Sequence, residues 1–208
     1  MRGFLHLPAR SNGDSLALTH GAGANCKSKL MLAVSTAFAD AGFAVLRYDL
    51  PFRQVHPFGP PFPNMAERDR AGVRRAIEFL KSKTSGRIVA GGHSYGGRQT
   101  SMLIAEHPEL VAGLVLLSYP LHPPRKPEQL RTAHFPELKA PALFVHGARD
   151  PFASFEEMQS ALKLIPAPHQ LLEVESAGHE LRLKKGVSEL PQQIVMTFQD
   201  FFRNPSRL

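Results

Sequence analysis

The chain has 208 residues, 43% apolar and 21% charged, with a formal net charge of +7 and a single cysteine. That is length and apolar content for one domain with its own core, spanning residues 1–208, and it excludes an internal disulfide and a disordered, low-complexity chain. There is no run of ~18 apolar residues to cross a membrane and no apolar leader in Met1–Arg10, so a cytoplasmic protein is expected.

In chain order, a short strand near Phe4–Leu7 precedes a firmer one at Leu16–Thr19, which runs into the small residues His20-Gly21-Ala22-Gly23-Ala24. A helix follows over Lys29–Ala41, where Leu30, Val34 and Phe38 share a face, and then a strand over Ala44–Tyr48. The stretch from Pro51 to Pro63 is a proline-rich loop, stiff because proline restricts the backbone. Met65–Ser82 is a helix with Val73, Ala76, Ile77 and Leu80 as its apolar stripe. Strands at Ile88–Gly91, Gly113–Leu117, Ala142–His146 and Gln170–Val174 then alternate with helices at Gly97–His107, Phe155–Leu164 and Gln192–Phe202. A second proline-rich loop runs from Pro120 to Pro127. Such alternation predicts an α/β fold: a mostly parallel sheet of about six or seven strands with helices on both faces. Ligands of such sheets bind at the carboxyl ends of the strands.

Three chemistry-bearing segments fall at those ends. Gly92-His93-Ser94-Tyr95-Gly96 is a G-x-S-x-G turn between a strand and a helix, the pattern that exposes a serine nucleophile. Gly92 and Gly96 leave room where a Cβ would crowd the turn and tolerate unusual backbone angles. Asp150 closes the turn after the Ala142–His146 strand, and His179 follows the Gln170–Val174 strand in Ser176-Ala177-Gly178-His179. In this reading Ser94 attacks, His179 moves its proton, and Asp150 fixes the imidazole. The N–H groups of Tyr95 and of Ala22, with Gly23 next in line, are the candidate oxyanion donors. Each element also has a plainer reading: a tight turn for Gly92–Gly97, a helix cap for Asp150 before Pro151, a solvated loop residue for His179.

The three turns together resemble the α/β-hydrolase fold, over nearly the whole chain. The strings His20-Gly21-Ala22-Gly23-Ala24, Gly92-His93-Ser94-Tyr95-Gly96-Gly97-Arg98, Tyr119-Pro120-Leu121-His122-Pro123-Pro124 and Phe144 through Phe152 are similar to a small, lidless bacterial hydrolase family. That family is related to dienelactone-hydrolase-like proteins, to testis-expressed protein 30 and to a subunit of a histone-acetyltransferase complex. The resemblance implies the triad Ser94, Asp150 and His179. It implies no substrate, since dienelactone hydrolases proper carry cysteine where this chain has Ser94. The short N-terminal region implies that the first antiparallel strands of the full fold are reduced or missing.

The expected activity is hydrolysis of a small ester or thioester through an acyl-enzyme. The alternatives are a non-enzymatic interaction module, or an acyltransferase or perhydrolase on the same triad. Only about 18 residues, 122–139, stand where a helical cap would be inserted, too few for several packed helices. Phe52, Phe58, Phe62, Tyr119 and Leu121 either line an apolar site or anchor their loops to the body. Arg98 either binds a substrate carboxylate or forms a buried structural ion pair. Asp49 reads as a structural acid and Cys26 as a small buried residue. His146, Asp150 and His179 lack zinc-site spacing, so neither metal nor cofactor is expected. The basic residues are scattered over Arg68–Arg75, Lys81–Arg87, Arg125–Arg131 and Arg182–Lys185 without a nucleic-acid motif. They read as a solvated surface, with neither nucleic acid nor membrane as partner and a preference for anionic substrates as the lesser reading.

Overall fold

The computed structural model describes residues 1–175, 177–182 and 189–203. Ser176 and the 183–185 part of the last basic segment therefore lie outside the described residues. The strands are β1 (Gly3–His6), β2 (Ser15–Thr19), β3 (Ala44–Tyr48), β4 (Ile88–His93), β5 (Gly113–Leu117), β6 (Ala142–Gly147) and β7 (His169–Val174). The α-helices are α1 (Lys29–Asp40), α2 (Pro51–Val55), α3 (Ala66–Lys81), α4 (Tyr95–Glu106), α5 (Phe155–Leu162) and α6 (Leu190–Arg203).

The sheet runs in the order β1-β3-β2-β4-β5-β6-β7. β1 pairs antiparallel with β3, and every other pairing is parallel. β1 is thus an antiparallel strand on the edge of an otherwise parallel sheet.

Because successive strand residues face opposite sides, each strand feeds two cores. Ala17, Leu46, Ala90, Leu116 and Phe144 pack with the apolar stripes of α3, α4 and α5. Leu16, Leu18, Val45, Val115, Leu117 and Val145 pack with α1 and α6, where Phe38, Phe43 and Phe198 meet edge to face. The central strands are buried on both faces, which is why they read in sequence as continuous apolar runs.

Two elements differ from the sequence reading. The first proline-rich segment is not all loop: Pro51 occupies the first turn of α2, where its missing N–H costs nothing. α4 begins at Tyr95, two residues before the apolar periodicity, since Gly96 and Gly97 carry no side chain to display it. Between β5 and β6 there is no α-helix, so no helical cap is inserted there.

After β2 the chain adds β3 on one side and then β4 on the other. The crevice at the carboxyl ends of β2 and β4 is therefore the sheet's topological switch point. The His20–Ala24 loop leaves β2 there, and Ser94 leaves β4 there.

Candidate active site

Ser94 joins β4 to α4 with φ 51° and ψ −117°. A residue with a Cβ holds such a conformation only where its surroundings impose it, at an order of 1–3 kcal/mol. Here the Ser94 N–H donates to the Leu117 carbonyl (2.8 Å) and its own carbonyl accepts from the Arg98 N–H (2.9 Å). The flanking glycines serve close approach, not unusual angles: none of Gly92, Gly96 and Gly97 has a positive φ. A Cβ on Gly97 would lie 2.6 Å from the Gly92 oxygen, and one on Gly92 would lie 2.8 Å from the Gly96 carbonyl carbon.

Ser94, His179 and Asp150 form one hydrogen-bonded row. Ser94 Oγ is 2.7 Å from His179 Nε2. His179 Nδ1 lies 2.8 and 3.0 Å from the two Asp150 carboxylate oxygens. The Asp150 side chain is fully buried and also accepts the Phe152 N–H (2.9 Å). Asp150 is not a helix cap, because Ser154 caps α5 in a reciprocal pairing with Glu157. Nor is His179 a solvated loop residue: the Phe152 ring lies on its imidazole at 4.1 Å, and its side chain is 14% exposed. From below, His93 Nε2 reaches the His179 carbonyl (2.8 Å).

The loop after β2 is held by its carbonyls. His20 Nδ1 is 2.8 Å from the Gly21 oxygen, which also accepts the Ala24 N–H (3.1 Å), while His20 Nε2 accepts the Leu50 N–H (3.2 Å). Both ring nitrogens are committed to a neutral imidazole, and burial pushes the His20 pKa down to about 4. Since C=O and N–H point opposite ways across a trans peptide, anchoring the Gly21 carbonyl fixes the direction of the Ala22 N–H. Arg53, 2% exposed, clamps the next carbonyls: it donates to those of Ala22, Ala24 (2.8 Å), Gly59 (2.8 Å) and His56 (2.9 Å). The Tyr95 N–H, first in α4, has no intrahelical acceptor by position. The Tyr95 hydroxyl donates to Asp69 (2.8 Å), which also accepts the Phe52 N–H (2.9 Å).

Asp49 is structural. It accepts from the Cys26 N–H (2.7 Å) and Arg2 Nε (2.6 Å). Burial alone would raise its pKa, but these bonds outweigh it and hold the carboxyl below its usual range. Cys26 is buried, and burial beside Asp49 pushes its thiol up to about 11, so it stays protonated.

Burial favours the loop-anchoring reading over the apolar-site reading for Phe52, Tyr119 and Leu121. Phe52, Tyr119 and Leu121 have at most 1% of their surface exposed and form the floor under the site. Phe52 is turned inward by α2 against Tyr95 (5.6 Å) and His20 (5.7 Å). Tyr119 packs on Phe135 and Phe144, with its hydroxyl on the Arg131 carbonyl (2.6 Å). Phe58 is 90% exposed. It borders a cavity of about 260 Å³ shared with Arg2, Asn25, Lys27, Asp49, Arg53 and Pro57, which does not take in Ser94. Phe62 is exposed too. Arg98 has no carboxylate within 4 Å among the described residues, so its ion-pair reading has no partner. His146 Nε2 is taken by the Ala153 carbonyl (2.9 Å) and its Nδ1 stands 3.9 Å from Asp150.

Sequence reasoning missed Asp69, Arg53 and the hold of His93 on His179. Asp69 had a signal, since it lies at helical spacing on the same stripe as Val73, Ala76 and Ile77. Arg53 had none, because its partners are main-chain carbonyls.

Residues 12–202 match the family described as "Alpha/beta hydrolase domain". Est1E from Butyrivibrio proteoclasticus, solved with ferulic acid bound, superposes with a TM-score of 0.79 at 16% identity, covering 97% of this chain and 95% of that one. Dienelactone hydrolase from Anabaena variabilis gives 0.74 at 22% identity, covering 97% and 90%. An alpha-beta serine hydrolase homologue from Coxiella burnetii gives 0.71 at 19% identity, covering 94% and 90%.

Proposed function

The chain belongs to the alpha/beta hydrolase domain family, and from that premise we propose that it is a serine hydrolase cleaving a small ester or thioester through an acyl-enzyme. The observation that carries this is the unbroken row from Ser94 Oγ through the His179 imidazole to the buried Asp150 carboxylate.

The chemistry follows from the atoms in place. His179 Nδ1–H donates to Asp150, which leaves Nε2 as the base 2.7 Å from the Ser94 hydroxyl. As Ser94 Oγ bonds to the substrate carbonyl carbon, its proton passes to Nε2, and Asp150 stabilises the imidazolium. The oxyanion meets the Ala22 and Tyr95 N–H groups, both oriented before substrate arrives, which is what makes such donors effective. When the tetrahedral adduct collapses, Nε2–H protonates the leaving alcohol or thiol. Water then repeats the sequence on the acyl-enzyme, releasing the acid and restoring Ser94. The absence of an inserted helix between β5 and β6 favours small acyl groups over long buried chains.

The test is intact-mass spectrometry after exposure to a small fluorophosphonate. One adduct on the wild type and none on Ser94→Ala is the expected result. A well-folded wild type that takes no adduct would overturn the proposal in favour of a binding module.

A further inference from the structure

Arg98 is the fourth residue of α4, about 6 Å of helix rise beyond Ser94. Helical side chains lean back toward the helix N-terminus, so Arg98 reaches back toward the level of the nucleophile. Its Nε is buried and has no hydrogen-bond partner. Around it stand Tyr119, Ser101, His134 and Arg131. These neighbours are largely occupied with each other. Ser101 Oγ donates to the Arg98 carbonyl (3.0 Å) and pairs with His134 Nε2 (2.9 Å), and Arg131 Nη1 reaches the Pro120 carbonyl (3.3 Å).

The charges here do not balance. Burial first, and the charge of Arg98 second, push the His134 pKa down to about 4 and lower that of Arg131 as well. His134 is therefore neutral at pH 7, and two guanidiniums remain close enough for the charge of Arg98 to be felt at Arg131. No aspartate or glutamate comes within 4 Å of either among the described residues. A half-buried guanidinium with an unsatisfied N–H and a like-charged neighbour is unfavourable until an anion joins it. Carboxylate suits the guanidinium fork, which binds it through two parallel hydrogen bonds.

Position tells which part of a substrate would carry that anion. The loop bearing His179 packs with the α1 and α6 core through Ala177 and Leu181. The leaving group departs next to His179 Nε2, since that is where it takes its proton. Arg98 is on the other side, on α4 beside Tyr119, which belongs to the opposite core. A group held by Arg98 thus belongs to the acyl part.

We infer that Arg98, backed by Arg131, is a specificity residue for a free carboxylate on the acyl group, so that the preferred substrates are hemiesters or hemithioesters of short dicarboxylic acids. This rests on the serine-hydrolase reading. The deciding comparison is kcat/KM for mono-p-nitrophenyl glutarate against p-nitrophenyl pentanoate in wild type, Arg98→Met and Arg98→Lys. A charge-assisted pair supports a preference of roughly 10- to 100-fold for the hemiester in the wild type. Arg98→Met should lose that preference, mostly through KM, with the neutral ester changed less than about threefold, and Arg98→Lys should keep part of it. Equal rates on the two esters, with Ser94 still labelled by the fluorophosphonate, would overturn the inference and leave the hydrolase reading standing. Absence of labelling would sink the hydrolase reading instead. Calorimetry of glutarate binding to Ser94→Ala then decides the anion site separately: binding that is lost when Arg98→Met is added upholds it, and no binding overturns it.

Discussion

His93 Nε2 lies 2.8 Å from the backbone carbonyl of His179, so the residue before Ser94 holds the loop that brings the His179 imidazole to it. His93 is buried, and burial lowers its pKa, which keeps it neutral with Nε2 as donor. Its other nitrogen faces Gly21, where a Cβ would come within 2.7 Å. One imidazole thus separates the loop after β2 from the loop bearing His179 and fixes the spacing of both.

That contact should matter to turnover more than to folding. His93→Ala is expected to lower kcat, and the rate of fluorophosphonate labelling, by roughly 10- to 100-fold through misplacement of His179. His93→Gln, with its own N–H donor, should recover part of the loss. Stopped-flow labelling of folded variants checks this, and wild-type rates in His93→Ala would show that the contact is dispensable.

The backbone of Ser94 leads to a stability prediction. At φ 51° and ψ −117° glycine is less strained than any residue with a Cβ. Ser94→Gly should therefore be more stable than Ser94→Ala by about 1 kcal/mol in urea unfolding, with both inactive. Equal midpoints would mean the turn is not strained at this residue.

Arg53 should be a positioning residue of the oxyanion loop. It ties the loop after β2, through the carbonyls of Ala22 and Ala24, to the segment after α2, through those of His56 and Gly59. Arg53→Met is expected to lower kcat about 10- to 100-fold with a smaller change in KM, because it loosens the Ala22 peptide without touching substrate. Lysine should not restore the rate, since one ammonium cannot span four acceptors. A change confined to KM would argue that Arg53 binds substrate instead.

His20 sets an acid limit on stability. Its folded pKa of about 4 lies below the ordinary 6.5, so the unfolded chain binds more protons between those values. Its contribution is complete above about pH 6.5 and is lost as the pH falls from 6.5 toward 4. From pH 7 to pH 5 the loss is roughly 2 kcal/mol for this residue. Urea unfolding at the two pH values should show it in the wild type and a smaller loss in His20→Gln. His134, also near 4, gives a second test in His134→Gln.

The parts of this fold legible in the sequence are those whose signal is local. β2, β4, β5 and β6 are buried on both faces and spell themselves out as apolar runs, and Ser94, Asp150 and His179 each follow a strand. What stayed hidden depends on groups far apart in sequence. The main chain at Phe52 is tied by its N–H to Asp69, 17 residues away. The grip of Arg53 on Ala22 spans 31 residues and uses a carbonyl, which every residue has. Tyr119 could line a site or anchor its loop by sequence alone, and the hydroxyl bond to the Arg131 carbonyl, 12 residues away, is what marks it as an anchor.

β1 has a consequence for handling the protein. It pairs with β3 from Gly3↔Tyr48 to His6↔Val45, and Arg47 lies over the Phe4 ring at 4.1 Å and bonds His6 (2.7 Å). Behind it β3 is Ala-Val-Leu-Arg-Tyr, a mostly apolar strand. Clipping residues 1–8 would leave that strand with a row of unpaired N–H and C=O groups, a template for another chain to add to. The four-residue β1 thus acts as a sacrificial border: proteolysis at the N-terminus should show first as self-association, well before any loss at Ser94.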